Sequence, residues 1–312
     1  MLKQDVVQPP LELPQAEGRL LDRGLLATAR AYLSLTKPRI IVLLLITTVP
    51  AMMIAERGMP SLWLVLLTLL GGTLAAAGAN AINCYVDRDI DGMMARTRDR
   101  VLPAGSVAPG RALAFGISLG VIAFAGLALT VNLLSAALAL TALAFYVFVY
   151  TLWLKRTTTQ NIVIGGAAGA MPPLVGWAAV TGGLDWAALV LFGIVVLWTP
   201  PHFWALALLY RADYERAGVP MLPVVRGVAE TQRQIMLYSI ALVAITLVLV
   251  PIAGMGYLYL GSALLLGGGF LGFAFRLWRD ATPKANRGLF FYSLAYLGLL
   301  FGAMGLDQFV PV

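Results

Sequence analysis

Apolar segments of about 17–23 residues recur along the whole chain, each close to the length that crosses a bilayer core as a helix. Nine can be marked, over residues 39–55, 61–82, 112–130, 133–153, 161–180, 186–208, 235–252, 256–276 and 288–306. Inside hydrocarbon every backbone N–H and C=O must find its partner within the protein, so only helices and closed barrels can span. A barrel needs short alternating strands, and nothing here alternates. The fold class is therefore all-α: a polytopic membrane protein built as a nine-helix bundle. Composition agrees, because 60% hydrophobic and 12% charged residues are more apolar than a soluble domain of 312 residues can bury. The third and fourth spans are separated only around Asn132, which predicts a tight antiparallel hairpin.

A formal charge of +7 raises the question of nucleic acid, but the placement of the charges answers it. With the N-terminus in the cytoplasm, the inner connections hold Lys37 and Arg39, then Arg88, Arg96, Arg98, Arg100 and Arg111, then Lys155 and Arg156. Arg211, Arg216, Arg226 and Arg233 follow, then Arg276, Arg279, Lys284 and Arg287, against Arg57 alone on the other side. That is the positive-inside asymmetry of a membrane protein, with no nucleic-acid partner, the N-terminus inside and the C-terminus, past Asp307, outside. The single cysteine, Cys84, excludes an internal disulfide; a soft thiol suits Mg²⁺ poorly, so its reading is packing. Residues 1–36 read as a cytoplasmic tail, partly disordered, with an interfacial stretch over Leu20–Leu35, and residues 37–312 as one nine-helix domain. Asp5, Glu12, Glu17 and Asp22 argue against a mitochondrial transit peptide, which places the chain in a bacterial cytoplasmic membrane. Gly165, Gly166 and Gly169, and Gly267 to Gly269, read as close helix contacts, and Met171-Pro172-Pro173 as a break in the fifth span.

The most polar stretch runs Asn83-Cys84-Tyr85-Val86-Asp87-Arg88-Asp89-Ile90-Asp91 and continues through Arg96, Arg98 and Arg100 to Leu102-Pro103-Ala104-Gly105. On a helix, Asn83, Asp87 and Asp91 fall within about 80° of one another. That face offers two carboxylates and an amide oxygen, the hard donors that suit Mg²⁺ and the phosphates it carries. The arginines beyond can hold phosphate oxygens by paired hydrogen bonds. The plainer alternative is a solvated helix-end network of Asp and Arg with no ligand. Carboxylates at membrane depth favour function, because they are expensive there.

Other polar groups fall on the same side. Lys37, Arg39, Lys155 and Arg156 read singly as topology anchors, and together as a ring of positive charge around a diphosphate. A second cluster, Tyr210-Arg211-Ala212-Asp213-Tyr214-Glu215-Arg216, follows the sixth span. His202, the only histidine, lies within that span after Pro200-Pro201. An imidazole there can join helices, act as a base or ligate iron.

The pattern N-x-x-x-D-x-x-x-D followed by R-x-R-x-R-x-L-P-x-G resembles the first aspartate-rich motif of the UbiA-type intramembrane prenyltransferases. The wording is most similar to their heme O synthase branch. L-x-L-T-K-P-R at Leu33 to Arg39, the stretch Asn161 to Trp177, T-P-P-H-F-W-A-L at Thr199 to Leu206 and A-G-V-P-M-L-P at Ala217 to Pro223 resemble it too. The likeness covers about residues 33–305. It implies a UbiA-like bundle that moves the farnesyl group of farnesyl diphosphate to a vinyl group of heme B, with water addition, giving heme O and diphosphate. It also implies Mg²⁺ on Asn83, Asp87 and Asp91, with diphosphate held by Arg39, Arg96, Arg100, Lys155 and Arg156. Asp87, Asp91, His202 and Lys155 are the catalytic candidates, the active site faces the cytoplasm, and a heme A synthase or terminal oxidase assembly is the implied downstream partner. The second aspartate motif of the family, D-x-x-x-D, is replaced by Tyr210 and Tyr214 with Asp213 between them, which puts a second metal in doubt. Prenyl transfer to an aromatic quinone precursor is the nearest alternative. Transport of an anion is more distant, since the carboxylates gather at one face and not at the midplane.

Overall fold

The computed structural model describes residues 24–310. The expected disordered tail lies outside those residues, except for a short helix α1 (Leu25–Leu35), the end of the expected interfacial stretch. The described residues contain nine helices long and apolar enough to cross a membrane: α2 (Pro38–Glu56), α3 (Leu62–Val86), α5 (Pro109–Thr130), α6 (Leu133–Thr157), α7 (Asn161–Thr181), α8 (Trp186–Leu209), α11 (Gly227–Ala253), α12 (Tyr257–Arg279) and α13 (Pro283–Asp307). Short helices α4 (Arg88–Met93), α9 (Arg211–Arg216) and α10 (Leu222–Val225) stand in the connections.

Local chemistry sets where these helices begin. Proline occupies the first turn of α2, α5 and α13, where a missing N–H costs nothing. Side chains of Asn132, Asp185 and Thr282 accept from backbone N–H groups in the first turns of α6, α8 and α13. The hairpin at Asn132 forms as expected, and the Asn132 amide also donates to the Ala178 carbonyl at 2.8 Å, tying the turn to α7. The expected break at Met171-Pro172-Pro173 is absent, since α7 runs unbroken from Asn161 to Thr181.

Helices α7, α8 and α13 are the most enclosed spans, while α5 and α6 lie at the rim. The bundle closes on itself, with α2 packed on α3, α7 and α13. Hydrocarbon gives helices no hydrophobic reason to associate, so close packing has to do it. Between α3 and α5 the helices approach through Gly78 and Gly116: a Cβ on Gly78 would lie 2.7 Å from the Gly116 carbonyl oxygen. Gly165 admits the Tyr150 ring in the same way, bringing α6 against α7.

In α6, residues Phe145–Leu154 wind as a π-helix, with hydrogen bonds reaching back five residues instead of four. This wider winding lies just ahead of Lys155, at the end of the bundle that carries the polar motif.

Candidate active site

Helix α3 ends at Val86, one residue before Asp87, and the backbone turns there into α4. The helical ladder nevertheless continues: Asp87 N–H bonds the Asn83 carbonyl at 2.9 Å, and Asp91 N–H bonds the Asp87 carbonyl at 2.8 Å. Asn83, Asp87 and Asp91 therefore share a face although the helix is not continuous. All three are buried, Asp87 at 1% and Asp91 at 3% exposure. That burial is at odds with a helix end bathed in solvent.

Each of the three is met by a cation from a different element. Lys37 Nζ donates to Asn83 Oδ1 at 2.7 Å. Lys155, at the end of α6, pairs with Asp87 Oδ2. Arg100, in the connection from α4 to α5, holds both oxygens of Asp91 at 2.9 and 2.8 Å. The Asn83 amide completes the cluster, donating to Asp87 Oδ2 at 2.7 Å and to Thr151 Oγ1 at 3.0 Å. Asp87 Oδ1 is buried with no hydrogen-bond partner among the described residues; Arg156 Nη2 approaches it only to 3.7 Å. Arg156 instead holds Asp89 through two 2.8 Å bonds and the Val86 carbonyl at 3.0 Å. That guanidinium lowers the Asp89 carboxyl to about 2.

Lys37 sits in the left-handed region (φ 53°, ψ 59°) immediately before Pro38, a conformation that costs a side-chain-bearing residue energy. The Asn80 amide, donating at 2.9 Å to the Thr36 carbonyl, helps hold this junction against α3. Loss of water around the amine pushes the Lys37 pKa below its ordinary value. A small cleft opens here between the α1–α2 junction and the connection after α4, with Lys37, Asp91 and Arg100 in its walls.

The second cluster centres on Arg96. The Arg96 guanidinium lies over the Tyr210 ring, 5.4 Å from its centre, and Tyr214 is buried with its hydroxyl pKa raised by that burial. Asp213 pairs with Arg216, and Arg211 is exposed. Arg39 is exposed at the start of α2. Of the expected diphosphate-binding set, then, Arg100, Lys155 and Arg156 meet the motif carboxylates, Arg96 joins the tyrosines, and Arg39 joins neither.

His202 is enclosed elsewhere, among aromatic rings. Trp198 and Phe290 stack on it at 4.3 and 4.7 Å, and Phe203 meets it edge-on at 5.1 Å. Its Nδ1 lies 2.7 Å from Ser293 Oγ. Ser293 spends its own proton on the Phe290 carbonyl at 2.6 Å, so Nδ1 must be the donor and Nε2 keeps the lone pair. Sequence reasoning missed Ser293, Thr151 and Asn80, which are ordinary residues in apolar helices until the partner helix is known. It read Lys37 as part of a charged ring but not as the partner of Asn83.

The donor set fits a hard divalent cation: two buried carboxylates, one with an unpartnered oxygen, beside an amide oxygen. Among the described residues no group of three or more His, Cys, Asp and Glu side chains gathers, so a cation here would rest on these two carboxylates, the amide and its own anionic ligand.

Residues 44–295 match the model of the UbiA prenyltransferase family. The chain is 59% identical over 283 residues to a protoheme IX farnesyltransferase of Gloeobacter violaceus, covering 90% of this chain and 93% of that one. It is 56% identical over 291 residues to protoheme IX farnesyltransferase 1 of Saccharopolyspora erythraea, covering 92% of each. Among solved structures, a digeranylgeranylglyceryl phosphate synthase superposes with a TM-score of 0.75 at 17% identity, over 90% of this chain and 98% of that one. A UbiA homologue from Archaeoglobus fulgidus bound to DMAPP and Mg²⁺ superposes with a TM-score of 0.66 at 16% identity, over 89% and 98%.

Proposed function

The chain belongs to the UbiA prenyltransferase family, and from that premise we propose that it farnesylates heme B at a vinyl group, with addition of water, to give heme O and diphosphate. The choice of heme as acceptor is supported by the names of its relatives. The observation that carries the chemistry is the buried Asn83–Asp87–Asp91 face, with Lys37, Lys155 and Arg100 each set against one member.

Asn83, Asp87 and Asp91 would hold Mg²⁺. When bound, that ion supplies a Lewis acid that lowers the cost of charge on the diphosphate leaving group. The chain's own cations do the rest. Lys155, Arg100 and Arg156 meet the carboxylate oxygens, Lys37 meets the Asn83 amide oxygen, and all four can turn their N–H groups to phosphate oxygens as the C–O bond breaks and negative charge grows. Arg96 with Tyr210 and Tyr214 forms a second polar wall of donors where the family's second aspartate pair stands. The allylic carbon loses diphosphate and is attacked by the vinyl carbon of the porphyrin. Water adds to the resulting cation beside the ring and gives up a proton. His202 presents a bare Nε2 while Ser293 holds Nδ1–H, which suits the imidazole either to take that proton or to meet the heme iron. The positive-inside asymmetry supports a reaction face on the cytoplasmic side, in what we take to be a bacterial inner membrane.

The test is purified protein with Mg²⁺, farnesyl diphosphate and either heme B or 4-hydroxybenzoate. Release of diphosphate that requires heme B is expected; release that requires 4-hydroxybenzoate instead overturns the acceptor assignment. Reporter fusions after Lys155 or Lys284 should read the cytoplasm, and those after Val131 or Gly183 the outside.

A further inference from the structure

Thr151 lies fully buried in the π-helical segment of α6, and its hydroxyl is engaged on both sides. Oγ1 donates to the Tyr146 carbonyl, five residues back, at 2.8 Å. Other helical threonines of the chain, such as Thr48, Thr141, Thr157 and Thr199, bond the carbonyl four residues back, and Thr47 the one three back, the reach of α-helical winding. A hydroxyl has one hydrogen, so with that hydrogen spent on Tyr146 only its lone pairs face Asn83. The Asn83 amide must then turn its NH₂ end toward Thr151, and it does so at 3.0 Å, with Asp87 Oδ2 taking an Nδ2 hydrogen at 2.7 Å. Oδ1 is left pointing the other way, where the Lys37 ammonium meets it at 2.7 Å.

We propose that Thr151, set in place by the π-helical winding of α6, is a positioning residue that fixes the rotamer of the Asn83 amide, so that its oxygen and not its NH₂ is offered to a cation. A flipped amide would aim two N–H donors at that cation and lose the ligand without losing the residue. The proposal rests on the metal–diphosphate reading of this end of the bundle.

Mn²⁺ binding to the full-length protein with farnesyl S-thiolodiphosphate, followed by electron paramagnetic resonance, tests it without turnover. Thr151→Val keeps the shape and removes the acceptor; Thr151→Ser keeps the hydroxyl. The Mn²⁺ dissociation constant is expected to rise about 10- to 100-fold in Thr151→Val, the range for a lost outer-shell partner, with only a modest fall in melting temperature from the buried groups left unpaired. Thr151→Ser should stay near wild type. Should Thr151→Val not fold, Thr151→Cys, a weak acceptor of similar size, is read in its place. In an Asn83→Asp background, where the ligand has no NH₂ end, the same valine change should add nothing. Wild-type affinity in Thr151→Val, equal weakening in Thr151→Ser, or an undiminished effect in the Asn83→Asp background overturns the proposal. If wild type itself retains no Mn²⁺ with the analogue, the metal reading fails. If wild type binds, Asp87→Ala does not, and Thr151→Val matches wild type, only the Thr151 proposal fails.

Discussion

Removing the Asp87 carboxylate separates a catalytic role from a charge-neutralising one. Asp87 is almost wholly buried, and its Oδ2 receives both the Asn83 amide and the Lys155 ammonium, whose side chain is 15% exposed. Deleting one partner of such a pair strands the other and costs about 3–5 kcal/mol. Asp87→Ala belongs near the lower end, about 3 kcal/mol, because Lys155 retains some contact with water. Asp91→Ala should cost less, about 2 kcal/mol, since the Arg100 side chain is 33% exposed and can rehydrate. In Asp87→Ala/Lys155→Met no stranded ammonium remains, and apolar replacement of a buried pair is close to neutral, so most of the loss should return. Activity should not return with it, because a hard oxygen ligand is gone. Reversible unfolding in mixed micelles reads the stability, and diphosphate release with heme B and Mg²⁺ reads the chemistry. A double variant that recovers both, or an Asp87→Ala enzyme releasing diphosphate at the wild-type rate, would show that Asp87 exists to neutralise Lys155 and nothing more.

Asp89 points away from the cluster with its side chain 57% exposed, so Asp89→Asn should change stability by less than about 1 kcal/mol and leave diphosphate release largely intact; a loss equal to that of Asp87→Ala would break the face assignment. A Cβ at Gly116 would lie 2.7 Å from Ile82 Cγ1 and 3.0 Å from the Gly78 carbonyl oxygen, so Gly116→Ala should destabilise by about 1–3 kcal/mol in the same unfolding assay, and an unaltered midpoint refutes the close approach of α3 and α5. His202→Gln should shift the bound-heme absorption spectrum and weaken heme binding if Nε2 meets the iron, or slow turnover and yield a dehydrated product if Nε2 takes a water proton. Full rate, normal product and an unchanged spectrum would leave His202 as packing.

The nine spans were legible in the sequence because hydrocarbon leaves an apolar run of this length a single way to satisfy its backbone. The boundaries moved where polar residues continue a helix past the apolar core: α11 starts at Gly227, α13 at Pro283, and α3 extends through Asn83 to Val86. The shared face of Asn83, Asp87 and Asp91 was also local knowledge, a matter of four-residue spacing that survives the turn at Asp87. None of that says which cation meets which ligand. Lys37 reaches Asn83 across 46 residues, Lys155 reaches Asp87 across 68 and His202 reaches Ser293 across 91. Those pairings depend on which helices lie side by side, and helices in lipid choose neighbours by the fit of small residues such as Gly78, Gly116 and Gly165, not by any period along one segment. The π-helical winding that carries Thr151 and leads into Lys155 has no local sequence signature either. Its wider turns, bonded five residues back, persist only where packing and buried hydrogen bonds outweigh the better geometry of the α-helix, and that balance exists only in the assembled bundle.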